Sequence, residues 1–364
     1  MHGNTTSMLD KEEILHIALW MPNWIGDVVL SLPALQTLRT LYPSAQITAI
    51  VKPPTNQLLS DHPPLDRVIQ FPKNKGDGFI KQFNYALKLR KYQFDLGIVF
   101  PNSFHSALML MLTGARFRLG YRTDVRRILL THPIPVTRKE KKTSYRVNYF
   151  HKILFPLNPG PVPDCHDPIW KKRRDVTSKN LLITMGVDTK DCLIAIHPGA
   201  SKPERAWHAE RFGVLCQKLI KQYCIKIILL GTSEERPLLR KISEFCPPDK
   251  VNVVPEFNLN EIIQLLKISR LFIGNDSGLL HLASLVGTPV VGIFGPGHSD
   301  TTGPFLDAQR QEIITRNYPC SPCSQRFFQE CKPSPHHKPY CLEDISVKGV
   351  SEAVQRIIKR LDLF

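Results

Sequence analysis

The 364-residue chain lacks any uninterrupted apolar run of the roughly 18 to 20 residues that a membrane-spanning helix needs. The two nearest approaches, residues 19–35 and 279–294, are broken by Asp, Pro, Gly and His. Its first residues, MHGNTTSMLDKEE, lack the basic stretch and short apolar core of a secretory leader, so a cytoplasmic protein, soluble or peripheral to a membrane, is expected. The phosphate-binding pattern G-x-G-x-x-G is missing, since neither GTSEER nor FGPG matches it, and this counts against a nicotinamide dinucleotide. No clustered carboxylates offer a magnesium site. Acidic residues are scarce, 32 against 48 Lys and Arg, for a formal charge of +16.

The surplus is uneven. Residues 1–180 hold 26 Lys/Arg and 13 Asp/Glu, whereas residues 181–364 hold 22 and 19. Much of it lies between Arg116 and Lys152, including Arg126, Arg127, Arg138, Lys139, Lys141, Lys142 and Arg146. Such a run is either a solvated face or a contact for a phosphate-rich partner, nucleic acid or an anionic membrane.

At 42% hydrophobic content the chain can build more than one core, and its length predicts two domains. Short apolar runs (ILHIALW, QITAIV, FDLGIVF, CLIAI, KIILL, RLFIGN, PVVGIFG) alternate with helix-like stretches such as ALQTLRTLY, FGVLCQKLIKQY and EIIQLLKIS. That rhythm predicts βαβ units and parallel sheets, hence an α/β fold of two Rossmann-like domains facing each other across a cleft. The proline- and charge-rich residues 157–175 read as the linker, giving domains 1–170 and 171–364, with the last helix free to pack back on the first.

In open α/β sheets ligands bind beyond the carboxyl ends of strands, so the loops after the apolar runs hold the candidate chemistry. The stretch LWMPNWIGDVVLSLPAL carries a single carboxylate, Asp27, which is either a helix cap after Gly26 or a functional group. Pro33 in the second turn predicts that the helix kinks there or starts nearer Ser31. In GNDSGLLHLAS, Ser277 and Gly278 would open a helix whose bare amides suit a pyrophosphate, with His281 on the same face. Asp276 reads more readily as a plain cap than as a ligand contact.

Taken together, PNWIGDVVLSLPALQTLRTLYP, PNSFHSAL, LGYR, HPGASKPERAW and NDSGLLHLASLVGTPVVGIFGP resemble the ADP-heptose:lipopolysaccharide heptosyltransferases, glycosyltransferase family 9 of GT-B fold. PNSF followed by SAL is more similar to the heptosyltransferase II type than to heptosyltransferase I. The resemblance implies an inverting transfer of L-glycero-D-manno-heptose from ADP-heptose to the first heptose of the lipopolysaccharide inner core. It places Asp27 on the family's catalytic aspartate, the base for the acceptor hydroxyl. Arg205 falls where the family commonly has lysine, on the departing phosphate. It further assigns Ser201, Lys202, Glu234 (or its neighbour Glu235), Asp276, Ser277, Gly278 and His281 to the donor. Asn102, Ser103, Arg122 and Arg126 go to the acceptor, and the basic segment to the anionic inner membrane. No cofactor is required and no nucleic acid is expected. The alternatives are heptosyltransferase I on Kdo-lipid A, a nucleotide-sugar epimerase, and a non-catalytic polyanion binder. Cys320, Cys323, Cys331 and Cys341 form C-x2-C-x7-C-x9-C, readable as a structural zinc site or as a loop of reduced thiols.

Overall fold

The computed structural model describes residues 12–60, 64–72, 78–164, 187–188, 191–254, 258–320 and 323–364. The chain divides into two compact units, Met1–Asp164 and Cys165–Phe364. The expected linker, residues 157–175, lies outside the described residues from 165 onward.

In the first unit six strands, β1 (His16–Trp20), β2 (Gln46–Val51), β3 (Arg67–Gln70), β4 (Leu96–Val99), β5 (Phe117–Tyr121) and β6 (His132–Ile134), form one sheet in the order β3-β2-β1-β4-β5-β6. The second unit repeats the plan with β7 (Cys192–His197), β8 (Ile225–Leu230), β9 (Val251–Val254), β10 (Leu271–Asn275), β11 (Val290–Phe294) and β12 (Gln311–Thr315), in the order β12-β11-β10-β7-β8-β9. Every pairing is parallel. Parallel strands covered by helices on both faces need apolar side chains on both, which is why β4, β10 and β11 are buried throughout. Each sheet is a Rossmann sheet, and each reverses its strand order once, between β1 and β4 and between β7 and β10.

The helix after β1 runs from Ile25 to Leu41 with Pro33 inside it, so it does not start late at Ser31. Proline removes the backbone donor that would meet Val29 O; the hydroxyls beside it bond back onto other carbonyls of the helix, Ser31 to Val28 O at 2.8 Å and Thr37 to Pro33 O at 3.1 Å. The helix packs on the helix Arg146–Lys152, so most of its circumference is buried.

The core of the second unit gathers Ile194, Ile196, Phe212, Leu229 and Ile273 around Trp207. The last helix, Val347–Leu361, buries Val350, Val354 and Ile357 in this same core and lies on β12, where Arg356 and Arg360 pair with Glu312 at 2.9 and 2.8 Å. Trp207 is fully buried, donates through Nε1 to Ile345 O at 2.9 Å, and meets the Phe212 ring edge-on at 5.0 Å. Trp207→Ala should therefore cost about 3–5 kcal/mol, read as a lower urea midpoint with an unchanged slope. A loss under about 1 kcal/mol would show that the tryptophan does not anchor this core.

Candidate functional site

The strand reversals say where to look, because helices flanking a reversal leave to opposite faces and the loops above them part into a crevice. In the first unit the loops at that point follow β1 and β4. The first leads into the helix Ile25–Leu41, whose N-cap is Trp24 and whose first turn carries Asp27. Asp27 does not cap this helix, so the cap reading fails. Asp27 makes no hydrogen bond among the described residues. Burial raises its pKa above the ordinary 3.8, while the Arg146 guanidinium on the neighbouring helix pulls it back. Trp24 is 70% exposed beside it.

The loop after β4 carries Asn102 and Ser103. Ser103 caps the helix Phe104–Leu112, accepting the Ser106 amide at 3.2 Å, and Asn102 Nδ2 donates to the Tyr149 hydroxyl at 2.8 Å. Arg122 is exposed after β5. Arg126, expected at the acceptor, is instead fully buried. Its guanidinium donates to Tyr121 O at 2.6 Å and to the Pro101 carbonyl, so its work is to tie the β4 and β5 loops together. Sequence alone could not separate such a strut from a surface cation.

In the second unit the loops after β7 and β10 meet at the reversal, joined by the loop after β8. Asn275, at the end of β10, is wholly buried: it accepts the Trp207 amide at 3.0 Å and donates to Pro198 O at 2.6 Å, which locks HPGASKPERAW against NDSG. Asp276 is paired with Arg205 rather than capping a helix, and Arg205 also reaches Asp276 O and Ser201 Oγ, each at 3.3 Å. The cap of the helix Gly278–Leu285 is Ser277, but its hydroxyl bonds His197 Nδ1 at 3.0 Å instead of the helix amides. No side chain caps the first-turn N–H groups, which leaves them available to an anion. Arg205 Nε and His281 Nδ1 are buried with no hydrogen-bond partner among the described residues. Burial holds His281 below the ordinary imidazole range despite Asp276, and Arg205 adds to the depression.

Of the paired glutamates, Glu235 turns toward His197 while Glu234 stands at the rim of the adjoining pocket. The Glu235 carboxylate lies 3.6 Å from His197 Nε2, accepts the Thr232 amide at 2.9 Å, and lies so close to Gly199 that a Cβ there would come within 1.7 Å of it. Burial pushes Glu235 up, but His197 and Thr232 outweigh it and keep the group an anion below its ordinary range. Glu234 stays exposed. A pocket of about 860 Å3 opens alongside, bordered by Gly199, Trp207, Glu234, Glu235, Leu238 and Lys338, within the usual size for a small-molecule site. Lys202 points away, its ammonium over the Phe327 ring at 5.3 Å. His197 and Lys338 escaped the sequence reading, as His197 looked like the end of a strand and Lys338 sat in a cysteine-rich loop.

Among the described residues no three His, Cys, Asp or Glu side chains form a group that could hold a metal ion, so zinc at the four cysteines gains no geometric support. Burial and the other three thiols push Cys341 up to about 12, so Cys320, Cys323 and Cys331 lie within electrostatic reach of it.

The family model for glycosyltransferase family 9 (heptosyltransferase) matches residues 83–332. The chain belongs to glycosyltransferase family 9. This family 9 chain is 26% identical over 307 residues to lipooligosaccharide heptosyltransferase 2 of Haemophilus influenzae, covering 80% of this chain and 87% of that one. It is 24% identical to lipooligosaccharide heptosyltransferase 2 of Campylobacter jejuni, covering 96% and 100%. Its fold matches ADP-heptose lps heptosyltransferase II of E. coli with a TM-score of 0.78 at 21% identity, over 96% and 100% of the two chains. It also matches a glycosyl transferase family 9 structure from Veillonella parvula with a TM-score of 0.80 at 21% identity, over 96% and 98%.

The raised pKa of Asp27 has a thermodynamic consequence. The folded state holds this proton to higher pH than the unfolded chain, so between the two values stability falls as pH rises, and at pH 7 the ionised group is a net cost. Asp27→Asn should raise the melting midpoint at pH 7, and the gain should shrink as the pH falls through the raised value toward 3.8. A lower midpoint at pH 7 would contradict this account.

Proposed function

We propose that this family 9 enzyme transfers L-glycero-D-manno-heptose from ADP-heptose to the first heptose of the lipopolysaccharide inner core with inversion at the anomeric carbon. The observation that carries it is the placing of opposite chemistries at the two strand reversals: a lone carboxylate of raised pKa in the first unit, and orphaned donors with free helix amides in the second. Named relatives of the heptosyltransferase 2 type and an E. coli heptosyltransferase solved with ADP, of TM-score 0.68, support the donor and the acceptor.

Asp27 takes the proton of the acceptor hydroxyl as that oxygen attacks the heptose C1. The C1–O bond to the β-phosphate breaks and its electron pair leaves with ADP. A diphosphate leaves without protonation, so one carboxylate suffices where an inverting hydrolase needs two. The Ser277 and Gly278 amides and Arg205, whose guanidinium is held in place by Asp276, stabilise the charge gathering on the β-phosphate. His281, kept neutral by burial, and Asp276 face the heptose hydroxyls. Glu235, held anionic, accepts from the ribose diol, and the neighbouring pocket takes the adenine. Trp24 offers an exposed ring face for the acceptor sugar. The acceptor is lipid-linked, which places the enzyme at the cytoplasmic face of the inner membrane as a peripheral protein.

ADP release from ADP-heptose tests this reading with three acceptor conditions: none, Kdo-lipid A, and Kdo-lipid A bearing one heptose. Release only with the single-heptose acceptor, reduced about 100-fold or more in Asp27→Asn, is expected for a lost general base. Release with the heptose-free acceptor moves the assignment to heptosyltransferase I, and donor turnover with no acceptor moves it to an epimerase. Arg146 supplies a second check. Because it holds the Asp27 pKa down, Arg146→Gln should move the acid limb of the kcat/KM profile to higher pH; an unmoved limb would detach Arg146 from the base.

A further inference from the structure

Single exposed apolar side chains are ordinary on a protein surface, whereas their concentration at one place is not. Among the described residues of the first unit, the large exposed apolar side chains are Leu15, Trp24, Phe79, Ile80, Phe104, Val125, Ile128 and Phe155. All but Leu15 and Phe155 follow the carboxyl ends of strands: Trp24 after β1, Phe79 and Ile80 after β3, Phe104 after β4, and Val125 and Ile128 after β5. Apart from Trp24, which stands beside Asp27, they form a connected set. The helix Phe79–Lys88 packs on Phe104–Leu112, which packs on the turn Arg126–Leu129, and the Phe79 ring lies 6.1 Å from that of His105.

The turn after β5 is built to hold its apolar residues outward. Arg126 and Leu129 are buried, the first bonded to Tyr121 O and Pro101 O, while Val125 is 84% and Ile128 79% exposed. Val125 sits at φ 60°, a left-handed conformation that strains a β-branched residue and that Asn or Gly would adopt more readily. A turn shaped only for stability has no use for valine there.

Cations border this set. Exposed Arg122 precedes the two residues and exposed Arg127 lies between them in sequence, and the neighbouring strand β6 leads to the helix Arg138–Thr143 with exposed Arg138, Lys139, Lys141 and Lys142. The acids nearby are Asp124 and Glu140, and Glu140 is engaged by Lys152 and by its capping box with Thr137. Apolar tips bordered by lysine and arginine match a bilayer whose surface carries negative headgroups over an acyl interior.

We propose that this edge of the first unit docks on an anionic lipid bilayer, with Val125 and Ile128 entering the headgroup region and the surrounding cations engaging lipid phosphates. The inference deepens the reading of a lipid-linked acceptor and rests on it for its purpose.

The test measures co-sedimentation with vesicles in the absence of donor and acceptor. Vesicles of phosphatidylcholine alone are compared with vesicles containing about one third phosphatidylglycerol, for the native chain and for the double variant Val125→Asn/Ile128→Ser. The native chain should bind the anionic vesicles and bind the neutral ones at least about tenfold more weakly. The double variant should lose about tenfold or more on anionic vesicles. Its melting midpoint should not fall, since asparagine suits the left-handed position. Its ADP release with a water-soluble, delipidated single-heptose acceptor should equal that of the native chain. Equal vesicle binding by variant and native, or native binding indifferent to phosphatidylglycerol, would overturn the proposal. ADP release on the soluble acceptor is scored separately, so a chain that docks on vesicles without transferring heptose would sink the glycosyltransfer reading and leave the docking surface standing.

Discussion

The reversal of strand order, once in each sheet, is the constraint on which the rest of the structure depends. Helices connecting parallel strands must cross right-handedly, so a sheet that grows first one way and then the other sends its helices to opposite faces at the turning point. The loops above β1 and β4, and above β7 and β10, cannot close over each other there. Asp27, Asn102 and Ser103 occupy the first gap, and His197, Ser201, Arg205, Asp276 and Ser277 border the second. Nothing about these side chains creates the crevices; they are the residues the topology leaves uncovered.

The two gaps solve different electrostatic problems. At the first, a carboxylate is set in surroundings that disfavour its charge, and the Arg146 guanidinium on a neighbouring helix offsets part of that effect. At the second, Arg205 is paired with Asp276 and the Glu235 carboxylate lies against the His197 ring, so that each carboxylate has a partner and the helix amides remain free. A buried ion pair contributes little to stability compared with an apolar replacement, but it fixes geometry. Here it fixes Arg205 beside the Ser277–Gly278 turn. Asn275 serves the same end with a neutral amide, bonding across to Pro198 and Trp207 where a charge would be expensive.

How much of this could be read in advance depended on burial. Strands β1, β2, β4, β7, β8, β10 and β11 were legible because two covered faces demand unbroken apolar runs. The outer strands β3, β5, β6, β9 and β12 were not, being short and carrying polar residues, as in RVIQ and QEIIT. Site positions were legible where a glycine or acid interrupted an apolar pattern, as at Asp27 and at Asn275 to Gly278. The capping roles offered for Asp27 and Asp276 did not hold, because a cap is decided by one backbone angle and one hydrogen bond that residue type only favours. Between Glu234 and Glu235 the sequence had no basis for choice. The difference is made by Gly199, on another loop, whose missing side chain leaves room for one carboxylate. Pro33 misled about where the helix begins: its penalty is real, since Val29 O loses its intrahelical donor, but a helix so largely buried and packed on a second helix outweighs it.

Arg126 shows why a charge count is not yet a surface. It belongs to the basic run that drew attention in the sequence, yet it is the most completely buried cation of that run and spends its donors on the Pro101 and Tyr121 carbonyls. Burial lowers its pKa to about 10, still far above neutrality, so the charge persists inside. By holding the β5 turn down at one residue, it obliges the residues on either side, Val125 and Arg127, to face out. The same arginine that is lost to the acceptor therefore sets the shape of the exposed edge, and the apolar tips owe their position to a buried charge.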